Sequence, residues 1–430
     1  MVEYRIAIAG LGVVGAETAR HLTTRASHLA QKADASLVLT AVSARAKGKD
    51  RGFDMSNIAW EDDALSLASR DDVDIVIELM GGADGPALAL TEAALKNGKH
   101  VVTANKAMIA HHGAHLARLA EENQVALCFE AAVAGGIPAL KILREGLAAN
   151  DVEAVSGILN GTCNYILSRM EAAGLGFDEA LREAQELGFA EADPFLDISG
   201  TDAGQKLAIL SALAFGVAPN MDDVAITGIE AITAQDISFA EQFDAVIRLV
   251  AMAEHRGNGV FHQVRPMLVR KKAALAQVLN ELNALKIEAD PVGSIFLQGP
   301  GAGGGATASA VLADIADIAH GFGRPLFTQT TSQMTESAVF NGSPSEYYIR
   351  LALADKPGSM ARATQILAEN GVSIEEVVQR SSEAGDSYLP VVFITHETEA
   401  SALEAALAAL NGEKTICNAS LALPVLAEEM

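Results

Sequence analysis

Tyr4-Arg5-Ile6-Ala7-Ile8-Ala9-Gly10-Leu11-Gly12-Val13-Val14-Gly15 is the stretch from which the fold is read. A short apolar run ends in glycine, and apolar residues then recur with a helical period from Val13 towards Leu29. A strand, a tight turn and a helix opening on a complete GxGxxG form the context that gives this motif meaning. Gly10 permits the turn, Gly12 lets the backbone approach a pyrophosphate, and Gly15 allows close helix–strand packing. The backbone from Gly10 through Leu11, Gly12, Val13 and Val14 to Gly15 is therefore expected to hold a dinucleotide at a helix N-terminus.

Working outward, buried strands are expected at Leu37–Val42, Asp74–Leu79, His100–Thr103 and Val125–Phe129. Helical stretches lie between them, notably Pro86–Asn97 and Ala107–Asn123. The alternation predicts an α/β, Rossmann-type doubly wound parallel sheet over residues 1–132. The pattern changes after Gly135-Gly136-Ile137-Pro138. A helix at Pro138–Ala149, an alternating segment Val152–Leu159, helices at Asn164–Ala173, Phe177–Leu187 and Thr201–Phe215, and strands at Val260–Val269 and Ser294–Leu297 suggest a second, α+β domain over 133–325. It is expected to cover the first and to carry substrate binding, catalysis and dimerisation. Gly299–Gly305 breaks the chain before a helix near 306–325 that is expected to return to the first domain. After a polar connector at Arg324–Pro344, residues 347–430 read βαββαβ, a ferredoxin-like order.

The 430 residues are half hydrophobic and one-fifth charged, enough to bury substantial cores. The net charge of −24 repels phosphate backbones and argues against nucleic acid as a partner. Three scattered cysteines suit neither a disulfide framework nor a CxxC zinc site. No apolar run reaches the ~20 residues needed to span a bilayer, and no leader pattern precedes the first strand. A cytoplasmic protein handling small molecules, with no membrane partner, is the expectation.

The second strand ends in Ser43-Ala44-Arg45, followed by Lys47 and Lys49, where an NAD-selective site usually carries a carboxylate. Arg45 and Lys47 could receive a 2′-phosphate or could be a solvated basic loop, so NADP is favoured and NAD stays open. Hydride chemistry on a carbonyl also needs a proton donor and groups that hold a polar substrate. Gly188–Lys206 is rich in acids for so apolar a segment, and Asp202 and Lys206 share a helix face. Taken alone, that pair reads as a surface ion pair.

Gly188-Phe189-Ala190-Glu191-Ala192-Asp193-Pro194, continuing through Asp197, Gly200, Asp202 and Ala203 to Lys206, resembles the signature of the homoserine dehydrogenase family. Asn160–Leu167, Thr103–Ala107 and Gly299–Gly303 match it too. The resemblance implies that homoserine and aspartate 4-semialdehyde interconvert with NADP or NAD, within threonine, methionine and isoleucine biosynthesis. It implies Lys206 as proton donor, Lys106 as a second active-site lysine near the nicotinamide, Glu191 and Asp202 as substrate ligands, and Asp197 close by. It also places Thr103, Gly188 and Gly303 at the cofactor, with Gly188 touching substrate as well. A sodium or potassium site of mostly carbonyl oxygens at Glu130, Val133, Gly135 and Ile137 rests on the resemblance alone. Acidic groups suit an amino acid's ammonium, and a buried lysine beside a cation can have a lowered pKa, which would let it exchange a proton near neutrality.

Two alternatives stay open. A Cys163 nucleophile would make the chain a thiol-dependent semialdehyde dehydrogenase; a buried inert thiol is the other reading. A non-enzymatic nucleotide sensor would not need Lys206 and Glu191 together. His111 and His115 lie one helical turn apart without a third ligand and read as a solvated face. The tail, through Asp355-Lys356-Pro357-Gly358-Ser359, resembles the ACT regulatory domain. That implies an amino-acid effector, threonine in this setting, held near Asp355, Pro357 and Gly358, in a homo-oligomer (dimer or tetramer).

Overall fold

The computed structural model describes residues 2–256, 259–321, 326–335, 338–339, 344–380, 388–418 and 420–426. Strands β1 (Val2–Ala9), β2 (Ala35–Ser43), β3 (Ala59–Glu61), β4 (Ile75–Glu78), β5 (His100–Thr103) and β6 (Leu127–Cys128) form one parallel sheet in the order β3-β2-β1-β4-β5-β6. This is the Rossmann order, and its direction reverses between β1 and β4, where ligands of such sheets bind. Ile6, Ile8, Ile75 and Ile77 are fully buried, which is why these strands are continuously apolar. The sixth strand is shorter than the expected Val125–Phe129.

The second sheet is larger. β7 (Asp151–Ile158), β8 (Ala225–Ile226), β9 (Ala245–Arg256), β10 (Gly259–Arg270), β11 (Leu282–Asp290), β12 (Gly293–Pro300), β13 (Ala338–Val339), β14 (Tyr347–Ala354), β15 (Ile374–Gln379), β16 (Tyr388–Thr395) and β17 (Leu421–Leu426) form it. The path runs β12-β11-β7-β9-β10-β17-β14-β16-β15, with β8 and β13 also on β10. The tail's four strands thus have ferredoxin-like order, and they continue the middle region's sheet through parallel pairing of Leu268 with Val425 and Val269 with Leu426.

Several expectations need correction. The last tail strand is Leu421–Leu426 rather than Thr415–Leu423; only an isolated bridge, Leu353 to Ile416, remains of its start. The tail's second strand begins at Ile374, two residues late. The helix expected over Pro138–Ala149 is a single turn, Ala139–Lys141, that widens into a π-turn at Ile142–Gly146. The helix Gly304–Ala319 packs Val311 and Ile315 into the core of the first sheet, beside Ile6 and Ile8. Arg324 and much of the connector after it, including 336–337 and 340–343, lie outside the described residues, as do 322–325 at the end of the returning segment and 427–430 at the end of the tail. Among the described residues, no helix is long and apolar enough to cross a membrane.

Candidate active site

Two helix N-termini meet beyond β1. Helix Val13–Thr24 starts at Gly12 and helix Gly304–Ala319 at Gly303; neither has a side-chain cap or an acid in its first turn. A Cβ on Gly304 would lie 2.9 Å from Val13 Cγ1, so the two starts touch. Gly10, at φ +97°, approaches the end of β4 so closely that a Cβ would sit 2.4 Å from the Leu79 carbonyl oxygen. A Cβ on Gly15 would sit 1.9 Å from the Gly10 carbonyl, whereas beside Gly12 and Gly303 the space is open. Unpaired N–H groups, partial positive charge and room for phosphate therefore coincide, and these residues fit a dinucleotide.

The walls of this cradle are fixed by a side chain that the sequence reading passed over as part of a strand. Glu78, fully buried at the end of β4, accepts from Met80 N–H (2.7 Å) and from the Thr103 hydroxyl (2.6 Å). Thr103 Oγ1 accepts in turn from Asn105 N–H, and Asn105 caps helix Lys106–Glu122 by accepting from Met108 N–H. Thr103's hydroxyl is thus spent inside the fold, at the buried end of β5. Arg45 lies exposed just past β2; Lys47 and Arg51 sit over the Trp60 ring at 5.9 and 5.5 Å.

Across the cradle, Asp202 and Lys206 stand one turn apart on helix Thr201–Phe215, and both are buried. The surface-pair reading is therefore wrong. Lys206 Nζ donates to Asp202 Oδ2 (2.7 Å) and to the Leu159 carbonyl (2.6 Å). An ammonium has three donors, so one remains for a substrate oxygen. Lys106 Nζ, from the first sheet's side, reaches Asp202 Oδ1 at 3.1 Å. Burial would raise the Asp202 carboxyl's pKa, but Lys206 and Lys106, with the hydrogen bonds, hold it well below the usual range. Lys106 is pushed up by Asp202 against desolvation, with Asp197 and Glu191 adding to the rise. The lowering is therefore reversed there, because the acids outweigh desolvation.

Asn160, another residue whose individual role was not read from sequence, ties the acids together. Its Nδ2 donates to Asp202 Oδ2 (2.8 Å) and to Asp197 Oδ1 (2.7 Å), while its Oδ1 accepts from Cys163 N–H as a helix cap. The Asp197 carboxyl is raised by burial despite that bond. Glu191 is exposed on the loop after Gly188, which turns at φ +78° with open space beside it. Cys163 is fully buried and donates to the Asp197 carbonyl (3.1 Å). Burial pushes its thiol far up, and Asp197 and Asp202 add to this. A nucleophilic cysteine needs the opposite environment. His112 meets Asp84, just before helix Pro86–Lys96, and His115 meets Glu92 on it; among the described residues no cluster of three or more His, Cys, Asp or Glu could hold a metal.

The Glu130 loop joins the two sheets. The Glu130 carboxylate accepts from Leu140 and Lys141 N–H (both 3.0 Å), and its own N–H donates to Asp314 Oδ2. Burial, then Asp314, push the Glu130 carboxyl up to about 8; burial likewise pushes Asp314 up to about 7. Asp314 Oδ1 is buried without a hydrogen-bond partner. Gly135, at φ +50°, lies so near Gly301 that a Cβ would sit 2.5 Å from its carbonyl, and Gly136 N–H donates to the Pro300 carbonyl. Val133 and Ile137 lie fully inside the same loop. In the tail, the loop of Asp355, Pro357 and Gly358 is exposed, but the next residue's hydroxyl, Ser359 Oγ, is buried without a partner at the start of helix Ser359–Glu369.

A dinucleotide cradle facing a buried acid held between two lysines defines an NAD(P)-dependent oxidoreductase acting on a CH–OH group. Residues 10–130 match the model of the homoserine dehydrogenase NAD-binding domain, 138–316 that of homoserine dehydrogenase, and 347–414 that of the ACT domain. The homoserine dehydrogenase of Neisseria gonorrhoeae is 39% identical over 418 residues, 95% of each chain. The crystal structure of a homoserine dehydrogenase from Thiobacillus denitrificans superposes with a TM-score of 0.92 at 35% identity, covering 99% of this chain and 98% of that one. A hyperthermophilic archaeal homoserine dehydrogenase in complex with NADPH matches with a TM-score of 0.64 at 27% identity, over 76% of this chain and all of that one. The chain belongs to the homoserine dehydrogenase family, in the form that carries a C-terminal ACT domain.

Proposed function

We propose that the chain interconverts L-homoserine and L-aspartate 4-semialdehyde, with Lys206 moving the proton. The observation that carries this is the sharing of Asp202 by Lys206 and Lys106 opposite the nucleotide cradle. The bound nicotinamide supplies or accepts the hydride. Lys206 gives its remaining proton to the carbonyl oxygen, and takes it back in reverse. Asp202 holds both ammonium groups in place and, with Asp197 and the reaching Glu191, offers negative charge to the substrate's ammonium. Lys106 lies at the cofactor side of the substrate. Gly188 and Gly303 leave room for substrate and phosphate.

NADP is the proposed preference, since β2 ends without a carboxylate and leads into Arg45 and Lys47. Glu130, Val133, Gly135 and Ile137 would hold a sodium or potassium ion, which suits two adjoining buried carboxylates, one of whose oxygens, Asp314 Oδ1, accepts no hydrogen bond and has Lys141 Nζ 4.0 Å away. Its part would be to fix the loop between the sheets. Threonine is the proposed feedback effector at Asp355, Pro357 and Gly358, supported by the unpaired Ser359 hydroxyl at a helix start. Supply of threonine, methionine and isoleucine, a dimer or tetramer, and a cytoplasmic setting complete the proposal; the three cysteines are free, as a reducing compartment would leave them.

The test is NADPH and NADH oxidation with aspartate semialdehyde, with and without threonine. NADPH-dependent turnover that threonine suppresses supports the proposal. Turnover that needs a free thiol and forms an acyl product contradicts it.

A further inference from the structure

The seam between the middle sheet and the tail is incomplete. The β10 edge that meets the tail is covered piecemeal: β13 pairs at Gly259 and Val260, β8 at Gln263 and Val264, and β17 at Leu268 and Val269. Between the last two lies a gap at residues 265–267. Pro266, which has no N–H to leave unpaired, sits in it. A cavity of about 650 Å³ lies at this seam, lined by the middle strands, the first residues of β14, the end of β17 and helix Ala400–Asn411.

Arg265 projects into that cavity. It has no ion pair among the described residues. Its Nε is buried without a partner, and its best contact is a 3.5 Å approach of Nη2 to the Ala422 carbonyl. Burial disfavours its charge; Tyr347 and Glu404 act on it only at a distance. A half-buried guanidinium is stable when a planar carboxylate or phosphate completes its fork of donors. Here the structure provides the donors and the space but not the acceptor. Glu397 and Glu404 stand on the same walls, so the cavity presents negative charge as well as positive. Met252 and Met267 form an apolar floor next to Arg265. Arginine beside acids selects a zwitterion over a polyanion, and the methionines suit an aliphatic side chain.

We propose that this seam cavity is a second amino-acid site, taking a free α-amino acid with an aliphatic side chain. The carboxylate rests on Arg265, the ammonium faces Glu404, and the side chain lies over Met252 and Met267. The site is separate from the Asp355–Gly358 loop. Tyr347 and Asp355 mark opposite ends of β14, about 25 Å apart at roughly 3.3 Å per residue. A ligand here would brace the described β10–β17 pairing, so it would couple the tail to a strand that packs on helix Thr201–Phe215, which carries Asp202 and Lys206.

The experiment is calorimetric titration of the full-length chain with L-leucine, L-isoleucine and L-methionine, and with isoamylamine, which is leucine without its carboxylate. At least one of the amino acids should bind and the amine should not. Arg265→Gln should weaken the binding amino acid tenfold or more while turnover without it stays unchanged. Glu404→Gln, an exposed change that does not threaten the fold, should weaken it severalfold. Asp355→Asn should leave it unaltered. The proposal is overturned if none of the three amino acids binds, if the amine binds as well as leucine, or if Asp355→Asn abolishes binding. It is also overturned if Arg265→Gln changes the oligomeric state and leaves binding intact, because the arginine's missing partner would then be another subunit.

Discussion

The middle region meets its two neighbours in opposite ways. Towards the nucleotide-binding sheet it offers charge across a gap: Lys106 from one side reaches Asp202 on the other, and the glycines around them leave open space. Towards the tail it offers a packed joint beside the seam cavity. The sheet runs through, and Tyr348, Val392, Ile394 and Leu423 are buried in the same core as Phe239 of helix Ala234–Gln242. Asp236 of that helix, fully buried, accepts from the Tyr348 hydroxyl (2.8 Å) and from Arg350, and Arg380 stacks on Phe239 with its guanidinium carbon 4.3 Å from the ring centre. The first seam is open between its charged groups; the second is held by a packed core and buried polar contacts, with the Arg265 cavity beside them. The tail is thus part of the middle region's stability, and cutting after Thr330 would bare an apolar sheet face and leave the buried Asp236 with Thr233 alone, without Arg350 and Tyr348. Threonine control is better probed by changes in the exposed Asp355–Gly358 loop than by truncation.

The packed part of the second seam is broken most directly at Asp236. Asp236→Ala strands Arg350 and the Tyr348 hydroxyl, and should cost about 3–5 kcal/mol in urea unfolding. A loss under 1 kcal/mol would show the joint to be loose.

A second test, within the middle sheet that the tail extends, is pH. His262, buried on β10 with Nδ1 unpartnered, is pushed down from 6.5 to about 4 by burial, against a weak opposing pull from Asp223. Above pH 6.5 the ring is neutral in folded and unfolded chains alike. As pH falls towards 4 only the unfolded chain takes the proton, so stability declines, by up to about 3 kcal/mol. His262→Gln should flatten the fall in melting temperature over that window. An unchanged slope would place the acid sensitivity elsewhere.

At the catalytic seam, Asn160→Ser keeps an oxygen for the Cys163 N–H but removes the donor shared by Asp197 and Asp202. Hydrogen bonds to charged groups are worth about 1.5–3 kcal/mol, so kcat/KM should fall roughly ten- to a hundredfold with little change in melting temperature. Equal rates would mean that the acids are positioned by the lysines alone. The smallest effect is expected at Cys163. Cys163→Ala should keep kcat within about threefold, because a thiol burdened by burial and two carboxylates is no nucleophile. Complete loss in a folded variant would restore the thiol mechanism.

The nucleotide-binding sheet was legible because each strand is a local apolar run ending at a turn signal, and GxGxxG fixes where β1 stops. The middle sheet was legible only in part. Ala245–Arg256 was not read as a strand, because burial on both faces removes the alternation that marks one, and Arg248 interrupts the run while being fully buried itself. β11 (Leu282–Asp290) was missed as well; most of it is buried between β7 and β12. The tail's internal order was local and readable, but its pairing with β10 joins residues more than 150 positions apart, which no periodicity reports. At the site, Lys206, Asp202 and Lys106 were visible through motifs. Glu78 and Asn160 were not, since each acts through hydrogen bonds to groups distant in sequence.

We propose that proton transfer belongs to Lys206, held by Asp202 at the seam facing the nucleotide cradle. The most direct test is kcat for Lys206→Ala with NADPH and aspartate semialdehyde, alongside NADPH binding by the same variant. The account predicts a fall in kcat of about a hundredfold or more with cofactor affinity unchanged. A folded variant that binds NADPH and turns over within threefold of the wild type would contradict it.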